Sequence, residues 1–343
     1  MRCDDPTRVV SGGFRFMKLY DASKQFMEWR KRQNLAAPTY IQNGSNLRQF
    51  SIYMHNCDLE NVTENEVLDY IGLLEDQMEI KNNSLIPKIN ALRQFFKYWN
   101  EREEHILNYK LIPLRKKEFI FPKICTKEDY AKFWAAISAP SNHSQRIRNT
   151  AMVAVMAATG IRNGEAASMR MDKTDFLKPI AVSEGNIMYR AVIKTEKTRG
   201  MKPFREIFWN EDVNEYVKRW VERRDRLHQN HTFTNPELLF VGLNSKNSRS
   251  GGWGRQLTPN SIDEIFRRYS RMSGVDINPH MLRHMMGRDM AENDASEHVI
   301  SDVLGHSRLD SSRIYTHLYG KAVGQQFWRF RGIKESAKVK SAN

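Results

Sequence analysis

Apolar positions recur with a helical period along most of the chain. Leu19, Phe26 and Trp29 share one helical face, which predicts a first helix from Leu19 to Trp29. Pro38 and Thr39 open a second run that holds Ile41, Leu47, Phe50, Ile52 and Met54. Thr63, followed three residues later by Glu66 and then by Val67, Leu68, Tyr70 and Ile71, is the signature of a capping box that starts a third helix. A fourth follows Ser84, with Ile89, Leu92, Phe95, Phe96 and Trp99 on one side and Lys88, Arg93 and Lys97 on the other. The period lapses from about Asn108 to Lys123, where YKLIPLRKKEFIFPK mixes two prolines with five cationic residues, as an interdomain linker would. Its Arg115, Lys116 and Lys117 suit either a solvated surface or a cationic strap across phosphates.

Beyond the linker, helices are predicted from Thr126 to Ile137 and from Arg148 to Ala158, with Gly160 where a C-terminal cap belongs. Ile187 to Lys194 and Phe204 to Trp209 are rich in branched and aromatic residues around a Gly/Lys-rich turn, which predicts a small hairpin. Further helices are expected at Asn214 to His228, Ser261 to Met272, Met281 to Glu292, Glu297 to Leu304 and Ala322 to Arg329. Asn244 to Arg255 reads as a cationic Gly/Ser loop, and 334–343 as a disordered tail. The chain is therefore expected to be mainly α with a small β-sheet. A helical domain over 17–110, a basic linker over 111–123 and a mixed α/β domain over 124–333 are the expected parts.

At 343 residues the chain exceeds the usual size of one hydrophobic core, which agrees with two domains. Its formal charge of +14 favours a polyanionic partner. No run approaches the roughly 20 apolar residues of a membrane helix, and MRCDDPTRVV lacks an apolar signal core, so a cytoplasmic, non-membrane protein is expected. Cys3, Cys57 and Cys125 are scattered, with no Cys/His cluster, which argues against a disulfide framework or a zinc site.

Three local motifs carry chemistry. In ATGIRNGEAASMR an apolar helix ends at Gly160, and Arg162 follows with Glu165 three residues on; an arginine held in such a turn is able to aim a planar guanidinium at a phosphate. In NPHMLRHMMGRDM, His280 and Arg283 are neighbours on one helical face, joining a titratable imidazole to a fixed positive fork. In LGHSRLDSSRIYTHLYG, His306 follows a helix end at Gly305, and Tyr315 lies nine residues further in a Ser-rich stretch that could present its phenol to a ligand. Each motif alone also fits an unremarkable surface or packing role.

Taken in order, TGIRNGE, HMLRH at 280–284, LGH at 304–306 and IYTH at 314–317 resemble the phage-integrase, or tyrosine recombinase, family, in its Xer-like two-domain form. The resemblance covers about Lys18 to Arg331. It implies a helical core-binding domain that grips DNA, followed by a catalytic domain that cuts and rejoins DNA without metal, ATP or other cofactor. Tyr315 would attack the scissile phosphodiester to give a 3′-phosphotyrosine bond and a free 5′-hydroxyl. Arg162 and Arg283 would clamp the nonbridging oxygens, His280 would handle a proton near the nucleophile, and His306 would donate a further hydrogen bond. The family's general-acid lysine has two candidates in IKTEKTRGMKPF: Lys197, favoured for its KT pair at the turn, and Lys194, with Lys202 an outside candidate. After HMLRH the chain departs from the family, since Met285, Met286 and Gly287 replace small polar and aromatic residues, a change expected to touch packing more than chemistry.

The resemblance also implies a clamp around double-stranded DNA carrying specific recombination sites. Candidate contacts are Asn43, Arg48, Lys88 and Arg93 from the polar faces of the second and fourth helices. In LTPNSIDEIFRRYSR, Thr258 reads as an N-cap, Pro259 as the first helical residue, and Ser261, Arg267 and Arg268 as groove-facing. A homotetramer on two DNA sites, monomeric or weakly associated when free, is the implied assembly, with the apolar and cationic YGKAVGQQFWRFRGI as a helix that packs on a neighbour. Competing readings are a type IB topoisomerase, which uses the same residue classes but relaxes one duplex, and a catalytically silent DNA-binding regulator, which would have lost catalytic residues.

Overall fold

The computed structural model describes residues 17–33, 37–102, 106–120, 123–140, 143–183, 186–195, 203–243, 252–306, 312 and 315. Its contacts divide the chain into Met1–Phe121 and Pro122–Asn343.

The first unit contains α1 (Leu19–Lys31), α2 (Ala37–Tyr53), α3 (Glu64–Gly72), a π-helical turn (Leu73–Gln77) and α4 (Asn82–Asn100). The capping box forms as the sequence predicts: Thr63 Oγ1 accepts from the Glu66 amide at 3.3 Å, and Glu66 Oε2 accepts from the Thr63 amide at 2.9 Å. The apolar faces close on an aromatic centre in which Phe26 meets Phe95 edge-to-face, with centroids 5.7 Å apart. Phe95 and Phe96 are fully buried, each contributing about 2–3 kcal/mol by removal from water.

The stretch read as a linker is stitched to this unit. Ile112 within it, like Ile106 and Leu107 just before it, is buried in the core of this unit. Asn83 pairs reciprocally with the Glu118 backbone, donating to its carbonyl and accepting from its amide, both at 2.9 Å. Asn82 donates to the Lys116 carbonyl, and Arg115 pairs with Glu75 at 2.6 Å.

The second unit contains α5 (Lys127–Ser138), α6 (Ser144–Thr159), α7 (Asn163–Ala167), strands β1 (Thr174–Ser183), β2 (Asn186–Lys194) and β3 (Phe204–Trp209), then α8 (Glu211–Asn230), α9 (Pro259–Ser273), α10 (Pro279–Glu292) and α11 (Glu297–Leu304). Helix α6 is the central rod, buried from Arg148 to Met156 and packed against α8 and α10. The sheet is antiparallel in the order β1-β2-β3, so the expected hairpin is β2-β3 with one further strand. β1 escaped the sequence pattern because Pro179 and a register shift between Asp175 and Ile180 break its alternation, both tolerated on an edge strand. On β3, Arg205, Ile207 and Trp209 alternate inward.

Caps place the ends. Thr126 caps α5, accepting from the Asp129 amide at 3.0 Å, and Thr258 caps α9 ahead of Pro259 as expected. Helices α6 and α11 both stop at glycines in the left-handed region, Gly160 (φ +62°) and Gly305 (φ +64°). Cys57 and Cys125 form no disulfide; burial pushes the Cys125 thiol up to about 11, which leaves it unreactive. Among the described residues no helix is long and apolar enough to cross a membrane. The expected C-terminal helix, the expected tail and most of the stretch read as a loop from 244 fall outside the described residues.

Candidate active site

The chemistry-bearing motifs meet inside the second unit, where two helix C-termini face α10. Arg283 projects from α10 with only 5% of its surface exposed and joins both ends, donating through Nη1 to the Gly160 carbonyl at 2.7 Å and through Nη2 to the Leu304 carbonyl at 2.6 Å. These carbonyls carry the negative end of each helix dipole, a fitting partner for a buried cation. Burial, helped by the nearby Arg162 charge, pulls the Arg283 guanidinium down to about 9, so it stays charged at neutral pH.

Arg162 caps the short α7, an element the sequence pattern read only as a turn. Its Nη1 meets Glu165 Oε1 at 3.0 Å, its backbone amide donates to Glu165 Oε2 at 2.9 Å, and its Nη2 donates to the Gly305 carbonyl at 3.2 Å. Glu165 is fully buried and also receives Arg205 Nη2 at 2.9 Å. Burial alone would raise the Glu165 carboxyl, but the Arg205 and Arg162 guanidiniums and the Arg162 amide outweigh it and hold the carboxyl below its ordinary value. Arg205 extends from β3 to the Val303 carbonyl as well. Two guanidiniums thus grip one carboxylate with a third, Arg283, close enough to feel it, and the surplus charge is positive.

His306 follows α11 directly, and its Nδ1 lies 2.7 Å from Ser312 Oγ. Burial, with the charges of Arg283, Arg162 and Arg205, drives its ring down to about 3, so it is neutral under ordinary conditions. Tyr315 lies parallel to that ring, with centroids 6.3 Å apart and planes 8° apart, and is 2% exposed. Its hydroxyl is 2.8 Å from His284 Nδ1. His284 is held down at about 4 by burial and by the charges of His280 and Arg283, so its neutral ring is able to accept the phenol proton in a hydrogen bond. A cavity of about 1180 Å³, lined in part by Thr159, Thr195, Arg205, Gly305 and His306, opens beside the cluster.

The structure therefore brings Arg162, Arg283, His306 and Tyr315 together. His280 sits exposed on the first turn of α10, while the second histidine of HMLRH, one turn on, touches the tyrosine. Lys194 is exposed at the end of β2, and Lys197 and Lys202 fall outside the described residues. Sequence reasoning missed His284, Arg205 and Ser312. The signal for Arg205 was available, because a strand whose alternate residues are Ile207 and Trp209 must also point Arg205 inward.

Of the expected DNA contacts, Arg48, Arg267 and Arg268 are exposed, with Arg267 ion-paired to Glu264 at 2.7 Å. Ser261 spends its hydroxyl on the α9 cap, accepting from the Thr258 amide at 2.8 Å. Lys88 is half-buried, donates to Gln49 at 2.6 Å, and burial lowers its pKa. Two residues depart from the polar-face expectation. Asn43 is only 8% exposed, because α2 buries this side of the helix, and Arg93 turns its guanidinium onto the carbonyls of Tyr109, Lys110 and Ile112. Among the described residues, no three His, Cys, Asp or Glu side chains group as a metal site.

The model of the phage integrase family matches residues 123–321, more than half of the chain. Tyrosine recombinase XerC of Corynebacterium glutamicum is 23% identical over 273 residues, 79% of each chain. Among solved structures, XerH site-specific recombinase bound to palindromic difH substrate in a post-cleavage complex superposes with a TM-score of 0.65 at 20% identity, over 92% of this chain and 85% of that one. A lambda integrase dimer bound to a COC′ core site gives 0.61 at 15% identity, over 95% and 81%. The chain belongs to the phage integrase family and is a site-specific tyrosine recombinase.

Proposed function

We propose that this chain cuts and rejoins double-stranded DNA through a covalent 3′-phosphotyrosine intermediate on Tyr315. The observation that carries this reading is the meeting of Tyr315 with His306 beside the Arg162–Glu165–Arg205 and Arg283 network. The Tyr315 oxygen gives up its proton to His280, the proton-handling histidine of HMLRH, and bonds to phosphorus as the P–O5′ bond breaks, while the departing oxygen takes a proton from a lysine of the β2-β3 turn, Lys197 or Lys194. A 5′-hydroxyl from a partner duplex then reverses the step and releases the tyrosine, which conserves the phosphodiester energy and needs no nucleotide. Arg162 and Arg283 supply the positive charge for the nonbridging oxygens, whose negative charge grows in the transition state. With Ser312 donating to Nδ1, the neutral His306 ring carries its proton on Nε2 and donates to the same phosphate. Metal independence follows, since the guanidiniums provide the electrostatic stabilisation. The 17–110 domain serves as the core-binding part, 124–333 as the catalytic part, and four copies act on two sites.

The test begins in the native host by sequencing DNA trapped covalently on the chain, then uses a nicked suicide duplex built from that sequence. Tyr315→Phe is expected to retain DNA binding and abolish the covalent adduct, with Tyr319→Phe as control and excess EDTA without effect. Adduct formation by Tyr315→Phe but not by Tyr319→Phe sinks the assignment.

A further inference from the structure

A nucleophile must touch its phosphate, yet Tyr315 is 2% exposed and its hydroxyl is already engaged by His284 at 2.8 Å. Its ring packs with Ala291, Ile300 and Leu304, against Met286 and Met290. One residue of α10 makes this depth possible. A Cβ built on Gly287 would lie 2.6 Å from Tyr315 Cζ and 2.8 Å from both Cε atoms, closer than real carbon contacts allow. The phenol therefore fills the place where any other residue at 287 would put a side chain. His284, three residues earlier on α10, faces the same ring and meets its oxygen.

We propose that His284 and Gly287 are positioning residues that form a seat for Tyr315, Gly287 by leaving room for the ring and His284 by holding the hydroxyl. The seat keeps the phenol protonated, oriented and covered until DNA binding draws it out. The departure from the family at 285–287 then bears on the nucleophile as well as on packing. The proposal rests on Tyr315 being the nucleophile, but the seat itself is measurable without DNA.

The experiment is nitration of the free, full-length protein with tetranitromethane, followed by peptide mass spectrometry, with the 39%-exposed Tyr20 as internal reference. Wild-type Tyr315 is expected to be protected relative to Tyr20. Gly287→Ala, in which alanine is the better helix former and the fold is checked by circular dichroism, is expected to raise Tyr315 nitration several-fold by displacing the ring. His284→Ala is expected to do the same, whereas His284→Asn, whose amide occupies the position of Nδ1, restores protection. Gly72→Ala is the control, because a Cβ there meets only Asp76 Oδ2 at 4.0 Å. Tyr315 reacting as readily as Tyr20 in the wild type, or either alanine variant leaving it as protected as before, overturns the seat. Loss of the adduct assignment with these nitration results intact would overturn the nucleophile instead, so the two failures are distinguishable.

Discussion

Two arginines do the same mechanical job in different surroundings. Arg93, in the first unit, donates to carbonyls in the turn at 109–112 and keeps contact with solvent. Arg283, in the second, donates to the carbonyls of Gly160 and Leu304 and is nearly enclosed. Arg283 shares its space with Arg162 and Arg205, the two guanidiniums that grip the Glu165 carboxylate. Both are staples, but only the second sits in an excess of buried positive charge. Such an excess is a liability for folding alone and an asset when an anion is to be bound.

If that contrast holds, Arg283→Ala is the costliest change. It removes two charge-assisted hydrogen bonds and strands two buried carbonyls, so a loss of about 3–5 kcal/mol is expected in urea unfolding of the intact chain. A loss below about 1 kcal/mol would mean that Arg283 is no more a staple than Arg93.

Acid sharpens the same contrast. His306 and His284 are held at about 3 and about 4 in the folded chain, against about 6.5 when unfolded. Between about pH 6.5 and pH 4 the unfolded chain takes up protons that the folded chain refuses. Stability therefore falls as pH drops through that window, by up to about 1.4 kcal/mol per pH unit for each ring. The Glu165 contribution runs at lower pH, being present above the ordinary carboxyl value and lost as pH falls through the depressed folded one. His306→Asn should flatten the fall in urea midpoint between about pH 6.5 and pH 4; an unchanged slope removes His306 as its source.

Arg93→Ala should cost about 1 kcal/mol, the net value of ordinary hydrogen bonds at a partly solvated site. Least of all, Glu75→Gln, which breaks the exposed pair with Arg115, should shift stability by less than about 0.5 kcal/mol. A larger effect there would show that the 106–118 stretch is held by charge rather than by its buried Ile106, Leu107 and Ile112 and its asparagine pairs.

Helical periodicity and capping residues made the longer helices of both units legible, because the physics involved is local, while the five-residue α7 was too short to show a period. β1 was hidden because Pro179 and its bulge erase the period-two signal that a paired strand usually shows. Motif order located Arg162, Arg283, His306 and Tyr315, yet roles within the site depend on distances that spacing does not encode. Two histidines one turn apart look equivalent in HMLRH, and only packing shows that His284 reaches the tyrosine hydroxyl. Polar faces were read less well: Asn43 is buried within its unit, and Arg93, though still in contact with solvent, spends its guanidinium on backbone carbonyls, because a polar side chain on a helix is as free to serve its own unit as to face a ligand.

The glycines that end α6 and α11 change what a motif means. A Cβ on Gly160 would stand 2.7 Å from Leu304 Cδ2, and one on Gly305 would stand 2.6 Å from Arg205 Nε, in backbone conformations that side chains already resist. A side chain at either position would have to displace that neighbour as well as take up a strained backbone. In TGIR and LGH the glycine is thus spelled by exclusion while its neighbour is spelled by reactivity, and a pattern that looks like a signature of chemistry is in equal part a record of where two helix ends are crowded.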